Sequence, residues 1–349
     1  MIFLVLFVIL IVYKAEFTAK GFRDCLSKSA TASVRGICTL VVILHHLAQK
    51  CQTEELFSMI FWKLGFLAVA MFFFYSGYGL MKRFCSAPDY PDTFLVKRFG
   101  AVLVPYLCVI GLYWVVDTLL GEPHTLTEVL RSLINGHPIV TDSWYVLTIL
   151  VFYLCFYLLM RICGKKPGAI AVGSLLWCAV WVLVCAGAGY DPYWYNAVIC
   201  IWVGILVAMA EEPLQKIMKK YYVPVWIAAM AVFAAAFCIL YRKNPTFLPV
   251  YVGLHYLCEI AFIAVVLLVT MKFGTKNRVW DFLSRISLEA YLCHRLFMNL
   301  LRSRYIWIQS DSLWGIAVLV LSVAAAYGLH KLFGRMNQAV QKLLLPANR

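Results

Sequence analysis

Arg35-Gly36-Ile37-Cys38-Thr39-Leu40-Val41-Val42-Ile43-Leu44-His45-His46 is the stretch that decides the fold. It lies inside an apolar segment from Ser33 to Gln49 with no charge between its Arg and its imidazoles. Such a segment is long enough to cross a hydrocarbon core about 30 Å thick, where only a helix satisfies its own backbone. At about 100° per residue, the eleven steps from Arg35 to His46 bring the two back to within about 20° of one face. The expected rise between them is about 16 Å, with Arg35 at one mouth and His46 near mid-membrane. Charged and imidazole groups at that depth cost several kcal/mol, which makes both candidates for chemistry.

The rest of the chain repeats this apolar character. Of 349 residues, 63% are apolar or aromatic and 14% are charged. A soluble domain has about half and about a quarter, so that class is excluded. Apolar helices are predicted at Met1–Tyr13, Ser33–Gln49, Phe57–Met81, Phe99–Leu120, Trp144–Met160, Gly168–Gly187, Tyr193–Ala210, Tyr222–Tyr241, Val250–Met271, Leu283–Leu301 and Ser312–Phe333. The fold class is therefore all-α, a polytopic bundle of ten or eleven membrane helices. The first segment is short for a crossing, about 20 Å at ~1.5 Å per residue, and makes a poor signal peptide because no basic region precedes it. The chain divides into an apolar segment and basic linker at 1–30, a membrane domain at 31–334 and a tail at 335–349.

The net charge of +14 does not point to nucleic acid. Alternate loops carry 23 Lys and Arg against 6, with Lys63 and Arg295 inside helices completing the 31. Basic loops stay in the cytoplasm, so the basic set and the C-terminus are expected there, in a plasma membrane, with the N-terminus outside if the first segment spans. Thirteen Cys without a C-x-x-C indicate neither a zinc site nor a disulfide framework, and no metal ligands are assigned. No Walker A motif, G-x-S-x-G or H-E-x-x-H occurs.

The tenth segment carries a second polar stripe. Ser287, Tyr291 and His294 fall at i, i+4 and i+7 on one face, with Glu289 between them. His294 lies about 13 Å along from Arg285, a depth similar to that of His46. Elsewhere, Tyr75-Ser76-Gly77-Tyr78 ends an aromatic run whose Gly suits close helix packing. Lys82, Arg83, Lys97 and Arg98 bracket one basic loop and suit either lipid head groups or a phosphorylated ligand. Trp144-Tyr145 opens a helix at an interface, where an aromatic belt is the ordinary reading.

These motifs together resemble the membrane-bound acyltransferase 3 family. Its first core helix reads roughly R-G-[IL]-A-[AC]-x-x-V-x-x-x-H, matched by Arg35 to His46. Ser76-Gly77 looks like its F-F-x-x-S-G-[FY], and Lys97-Arg98 to Pro105-Tyr106 like its basic segment before Pro-Tyr. Ser143-Trp144-Tyr145 and Ile286-Ser287 to His294 are similar to its [HS]-x-W-[FY] and I-S-[YL]-x-x-Y-L-x-H. The likeness covers about Thr31 to Phe333. Two departures are Gly100-Ala101, where a further cation is common, and His45, where an apolar residue is usual.

The resemblance implies transfer of an acyl group, most often acetyl, from acyl-coenzyme A to a hydroxyl of a surface glycan or related acceptor. No extracellular hydrolase-like domain is expected after the last helix, so the membrane domain is expected to carry the whole reaction. His46, Arg35 and His294 are then the expected catalytic residues. Arg35, Lys97, Arg98, Lys82 and Arg83 would bind the donor, and His45, Ser76, Trp144, Tyr145, Ser287, Tyr291 and Glu289 the acceptor. His46 would act as general base or form an acyl-His intermediate. The expected partners are membrane lipid, acyl-coenzyme A and a hydroxyl acceptor, with homodimerisation left open. The rival reading is a transporter or flippase for a glycan-linked lipid or small anion, with the imidazoles as a proton relay.

Overall fold

The computed structural model describes residues 2–51, 56–243 and 245–344. It is 80% helical. The chain begins with α1 (Ile2–Val12) and a short strand β1 (Ala15–Phe17), then α2 (Lys28–Lys50), α3 (Leu56–Phe61) and α4 (Gly65–Ser86). A 30-residue span from Tyr90 to Leu119 follows, made of α5 (Tyr90–Phe94), a π-helical turn at Leu95–Phe99 and α6 (Gly100–Leu119). Next come α7 (Leu126–Ile134), α8 (Trp144–Cys163), α9 (Pro167–Gly187), a 3-10 turn at Pro192–Trp194 and α10 (Ile199–Met209). Then follow α11 (Glu211–Lys220), α12 (Tyr222–Lys243), α13 (Leu248–Lys272), β2 (Phe273–Thr275), α14 (Arg278–Arg285), α15 (Ser287–Leu300) and α16 (Asp311–Leu344). Among the described residues, nine helices are long and apolar enough to cross a membrane.

Polar contacts define two ends of the bundle. At the basic end, β1 pairs antiparallel with β2, Lys272 donates to the Gly21 carbonyl, and Arg161 pairs with Asp92. At the opposite end, Arg302 donates to the Lys50 carbonyl, Tyr241 to that of Lys63 and Tyr190 to that of Ile134. This end holds the six cations of the sparser loop set.

Several predicted segments differ in detail. The third is broken at residues 62–64 into α3 and α4, and the tenth at Ile286 into α14 and α15. The last runs ten residues past residue 334 to Leu344, so 335–344 continue a helix instead of forming a separate tail. Residues 345–349 of the expected tail, and Met1, lie outside the described residues. The longest loop contains α7, whose start is fixed by a reciprocal cap between Thr125 and Glu128.

Glycines set the closest approaches. A Cβ on Gly36 would overlap the Trp280 carbonyl of α14, and one on Gly77 the Ile201 carbonyl of α10. Gly204 of α10 meets the α4 backbone at Phe74 and Tyr78 in return. Backbone cannot yield as a side chain end can, so Gly77→Ala should cost about 3 kcal/mol, the upper end of overpacking penalties. Thermal unfolding in detergent reads this. Gly79→Ala, which meets open space, should leave the midpoint unchanged.

Candidate active site

The two histidines predicted from separate helices meet. The rings of His46 on α2 and His294 on α15 stack with centroids 5.0 Å apart. His46 is 8% exposed and His294 0%. Because α2 extends to Lys50, His46 falls in its closing turns, so the pair lies nearer the sparsely charged end than mid-depth.

Carbonyl oxygens only accept, and this sets the direction of every hydrogen bond here. His45 Nδ1 therefore donates to the Phe61 carbonyl (3.0 Å), which leaves its Nε2 to accept from the Gln49 amide (3.1 Å). The Gln49 oxygen then faces His46 Nδ1 (3.1 Å), which must donate, and the lone pair of His46 is placed on Nε2. His294 Nδ1 likewise donates to the carbonyls of Tyr291 (2.7 Å) and Ala290 (3.2 Å). Its Nε2 is buried without a partner. Gly65 makes room for this arrangement, since a Cβ there would overlap the His45 ring. His45 thus belongs to the network despite facing about 100° from its neighbour on the helix.

Asp142, from the loop before α8, completes the cluster. Its carboxylate lies 3.5 Å from His46 Nδ1 and 3.2 Å from Arg295 Nε. Its backbone has φ 66°, an unusual conformation for a non-glycine residue, and its carbonyl accepts from the Tyr291 hydroxyl. Burial would raise its pKa, but the neighbouring His46 and Arg295 more than reverse this and hold it below the ordinary carboxylate value. Sequence reasoning missed Asp142, Arg295, Gln49 and His255. The adjacency of Arg295 to His294 and of Asp142 to Ser143-Trp144-Tyr145 were the only signals for the first two.

No metal ligands were expected, yet His46, Asp142 and His294 place ligand atoms within 4.8 Å of one another, as a metal set would. The Arg295 guanidinium already neutralises the Asp142 carboxylate, so a dication would have to compete with it.

A cavity of about 450 Å³ opens beside these groups. His45, His46, Gln49, Asp142, Trp144 and Tyr291 line it, with His255 on a further wall. Tyr145 stands behind, edge-on to Tyr291 (5.7 Å) and against Phe73 (4.8 Å), in hydrogen-bond contact with Ser76. Ser287 does not line the cavity, because it opens α15 about 10 Å below His294. Glu289 is also outside it and accepts from His330 Nδ1 on α16 (2.9 Å). It stands five steps before His294 on the helix, which turns it about 140° away.

Toward the basic end lies a group of cations. Arg35 is surrounded by Tyr75, Tyr145 and Arg98, while Arg98 stacks on Tyr153 at 5.6 Å. The Nε atoms of both arginines are buried without hydrogen-bond partners. The π-helical turn supplies Lys97 and Arg98 together, and turns of this kind often mark functional sites. With Arg83 they line a second cavity of about 220 Å³. Lys82 is not available to it, because its ammonium is paired with Glu211 (2.5 Å), which also accepts from Tyr78.

The fold and these two sites define a multi-pass membrane protein with an imidazole–carboxylate centre and a separate cationic pocket. The acyltransferase 3 family model, described as an acyltransferase domain, matches residues 33–331, and the chain belongs to this family. No curated protein and no solved structure matches it.

Proposed function

We propose that the protein transfers an acyl group, acetyl in the first instance, from acyl-coenzyme A to a hydroxyl of a glycan or related acceptor of the cell envelope. The observation that carries this reading is the contact of His46 with His294 and Asp142 at the wall of a cavity, on the helix whose Arg35 stands beside Arg98 toward the basic end. The basic end faces the cytoplasm, in accord with its excess of Lys and Arg. The donor enters there. Half-buried guanidinium groups that pair with no carboxylate among the described residues are costly unless an anion joins them, and coenzyme A phosphates would supply that anion. About 16 Å along α2 separates Arg35 from His46, a distance suited to the long thiol arm.

At the reacting end, His46 Nε2 removes the acceptor hydroxyl proton as the oxygen attacks the thioester carbonyl. Gln49 Oε1 accepts the Nδ1–H, and the Asp142 charge 3.5 Å from Nδ1 stabilises the resulting imidazolium. Collapse breaks the C–S bond, and the thiolate takes the proton from His46. The products are the ester and free coenzyme A.

Titrating coenzyme A into purified variants tests the donor site. Arg35→Ala and Arg98→Ala should each weaken binding about tenfold or more, the worth of one charge-assisted hydrogen bond. Lys82→Ala should leave it within twofold, since Lys82 is held by Glu211. Unchanged affinity in both arginine variants would reduce these groups to topological anchors. Radiolabel transfer from acetyl-coenzyme A to a product ester separates this reading from transport.

A further inference from the structure

A second imidazole–carboxylate pair faces the same cavity and has no part in the network around His46. His255 and Glu259 occupy i and i+4 on α13, with His255 Nδ1 3.6 Å from a Glu259 oxygen. Glu259 is 0% exposed. Among the described residues its other oxygen accepts only from the Cys200 thiol, at 3.4 Å, and a thiol is a weak donor. Both Glu259 Oε1 and His255 Nδ1 are buried short of a full hydrogen bond. A carboxyl with such poor partners costs several kcal/mol at this depth, and packing alone would be met by Leu or Met. The imidazole itself is clamped, edge-on against Phe66 at 5.0 Å and against Tyr251 at 4.5 Å. With Nδ1 turned to Glu259 and the ring held, Nε2 is left for the cavity that His255 lines.

The remaining lining has a definite chemistry. Trp62, Trp144, Tyr193 and Tyr251 line it with aromatic rings, and Asn196 and Gln49 with amides. Trp144 and Tyr193 lie 5.5 Å apart. Aromatic faces interleaved with a few hydrogen-bonding groups suit a ring with an apolar face and a polar rim. The volume of about 450 Å³ is that of a small-molecule site.

We propose that His255, backed by Glu259, is a positioning residue that hydrogen-bonds a polyhydroxylated six-membered ring seated against Trp144 and Tyr193, and thereby sets which hydroxyl meets His46. The proposal rests on the transferase reading for its consequence but can be tested without turnover. Ligand-observed NMR on the purified full chain, with no acyl donor present, would measure binding of methyl β-glucopyranoside and of cyclohexanol, a ring of similar size with one hydroxyl. The glucoside should bind more tightly than cyclohexanol. His255→Ala should weaken the glucoside about tenfold, the loss of one hydrogen bond with its partner stranded, and leave cyclohexanol within twofold. His255→Gln should recover part of the loss.

Coenzyme A affinity within twofold of the parent certifies folding of each variant. Where the alanine variant fails that check, His255→Gln and Glu259→Gln carry the comparison, each expected to weaken the glucoside severalfold. In transfer assays the same variants should raise the acceptor KM while the donor KM stays unchanged. Equal glucoside binding in parent and folded variants, or no preference over cyclohexanol, overturns the proposal. Failure of any ester to form, with glucoside binding still dependent on His255, would instead defeat the transferase reading and leave the subsite standing.

Discussion

His46→Ala lowers the rate of acyl transfer by about 10² or more, the usual size of a general-base contribution, while donor affinity stays within twofold. The direction follows from the hydrogen-bond chain. Nε2 of His46 is a lone pair at the cavity, whereas the other imidazole of α2, His45, spends both nitrogens on Phe61 and Gln49. His45→Ala should therefore cost less, through loss of orientation alone. Because the His46 and His294 rings stack, their losses should not add. The double variant His46→Ala/His294→Ala is expected to cost less than the sum of the separate losses in free energy, as for residues acting as a unit. Single-turnover measurements with preloaded acetyl-coenzyme A read the chemical step directly. Activity of His46→Ala within a few-fold of the parent would sink the assignment. Rapid-quench trapping also separates the two chemical routes, since an acyl-His intermediate would label His46 before acceptor is added and a general base would not.

Asp142→Ala should damage both rate and stability. The carboxylate stands between two groups, His46 Nδ1 at 3.5 Å and Arg295 Nε at 3.2 Å, with Arg295 only 9% exposed. Its removal leaves an uncompensated buried guanidinium, a loss of about 3 to 5 kcal/mol when one partner of a buried pair goes. It also withdraws the negative charge that stabilises the His46 imidazolium. The two effects can be separated by Asp142→Ala/Arg295→Met, in which no buried charge is stranded. Thermal midpoints in detergent should return toward the parent in that double variant, whereas the transfer rate should not. Recovery of both would mean that Asp142 serves only to neutralise Arg295. Recovery of neither would place the stability loss in the loop itself, where φ of 66° at a non-glycine residue is already unfavourable.

Much of the architecture is legible in the chain because lipid leaves the backbone little choice. Apolar stretches of this length become helices wherever they fall, so the all-α class and most of the long segments follow from composition. The helical period alone puts Arg35 and His46 on one stripe of α2, and Tyr291 beside His294 on α15. Periodicity within one helix cannot say which helices touch, and here the tertiary structure decided the outcome. Gly36 and Gly77 let α14 and α10 approach α2 and α4 more closely than any side chain would allow, and the breaks at residues 62–64 and at Ile286 redirect the chain between rigid pieces. Those contacts brought His294 onto His46, while Glu289 and Ser287, members of the same motif, were turned or displaced from the cavity. Asp142 comes from a loop and His255 from a helix distant in sequence, so no local pattern links either to His46. They meet the cavity only where helix ends, loop and helices are assembled, because a charge or imidazole acquires its partner across space and not along the chain.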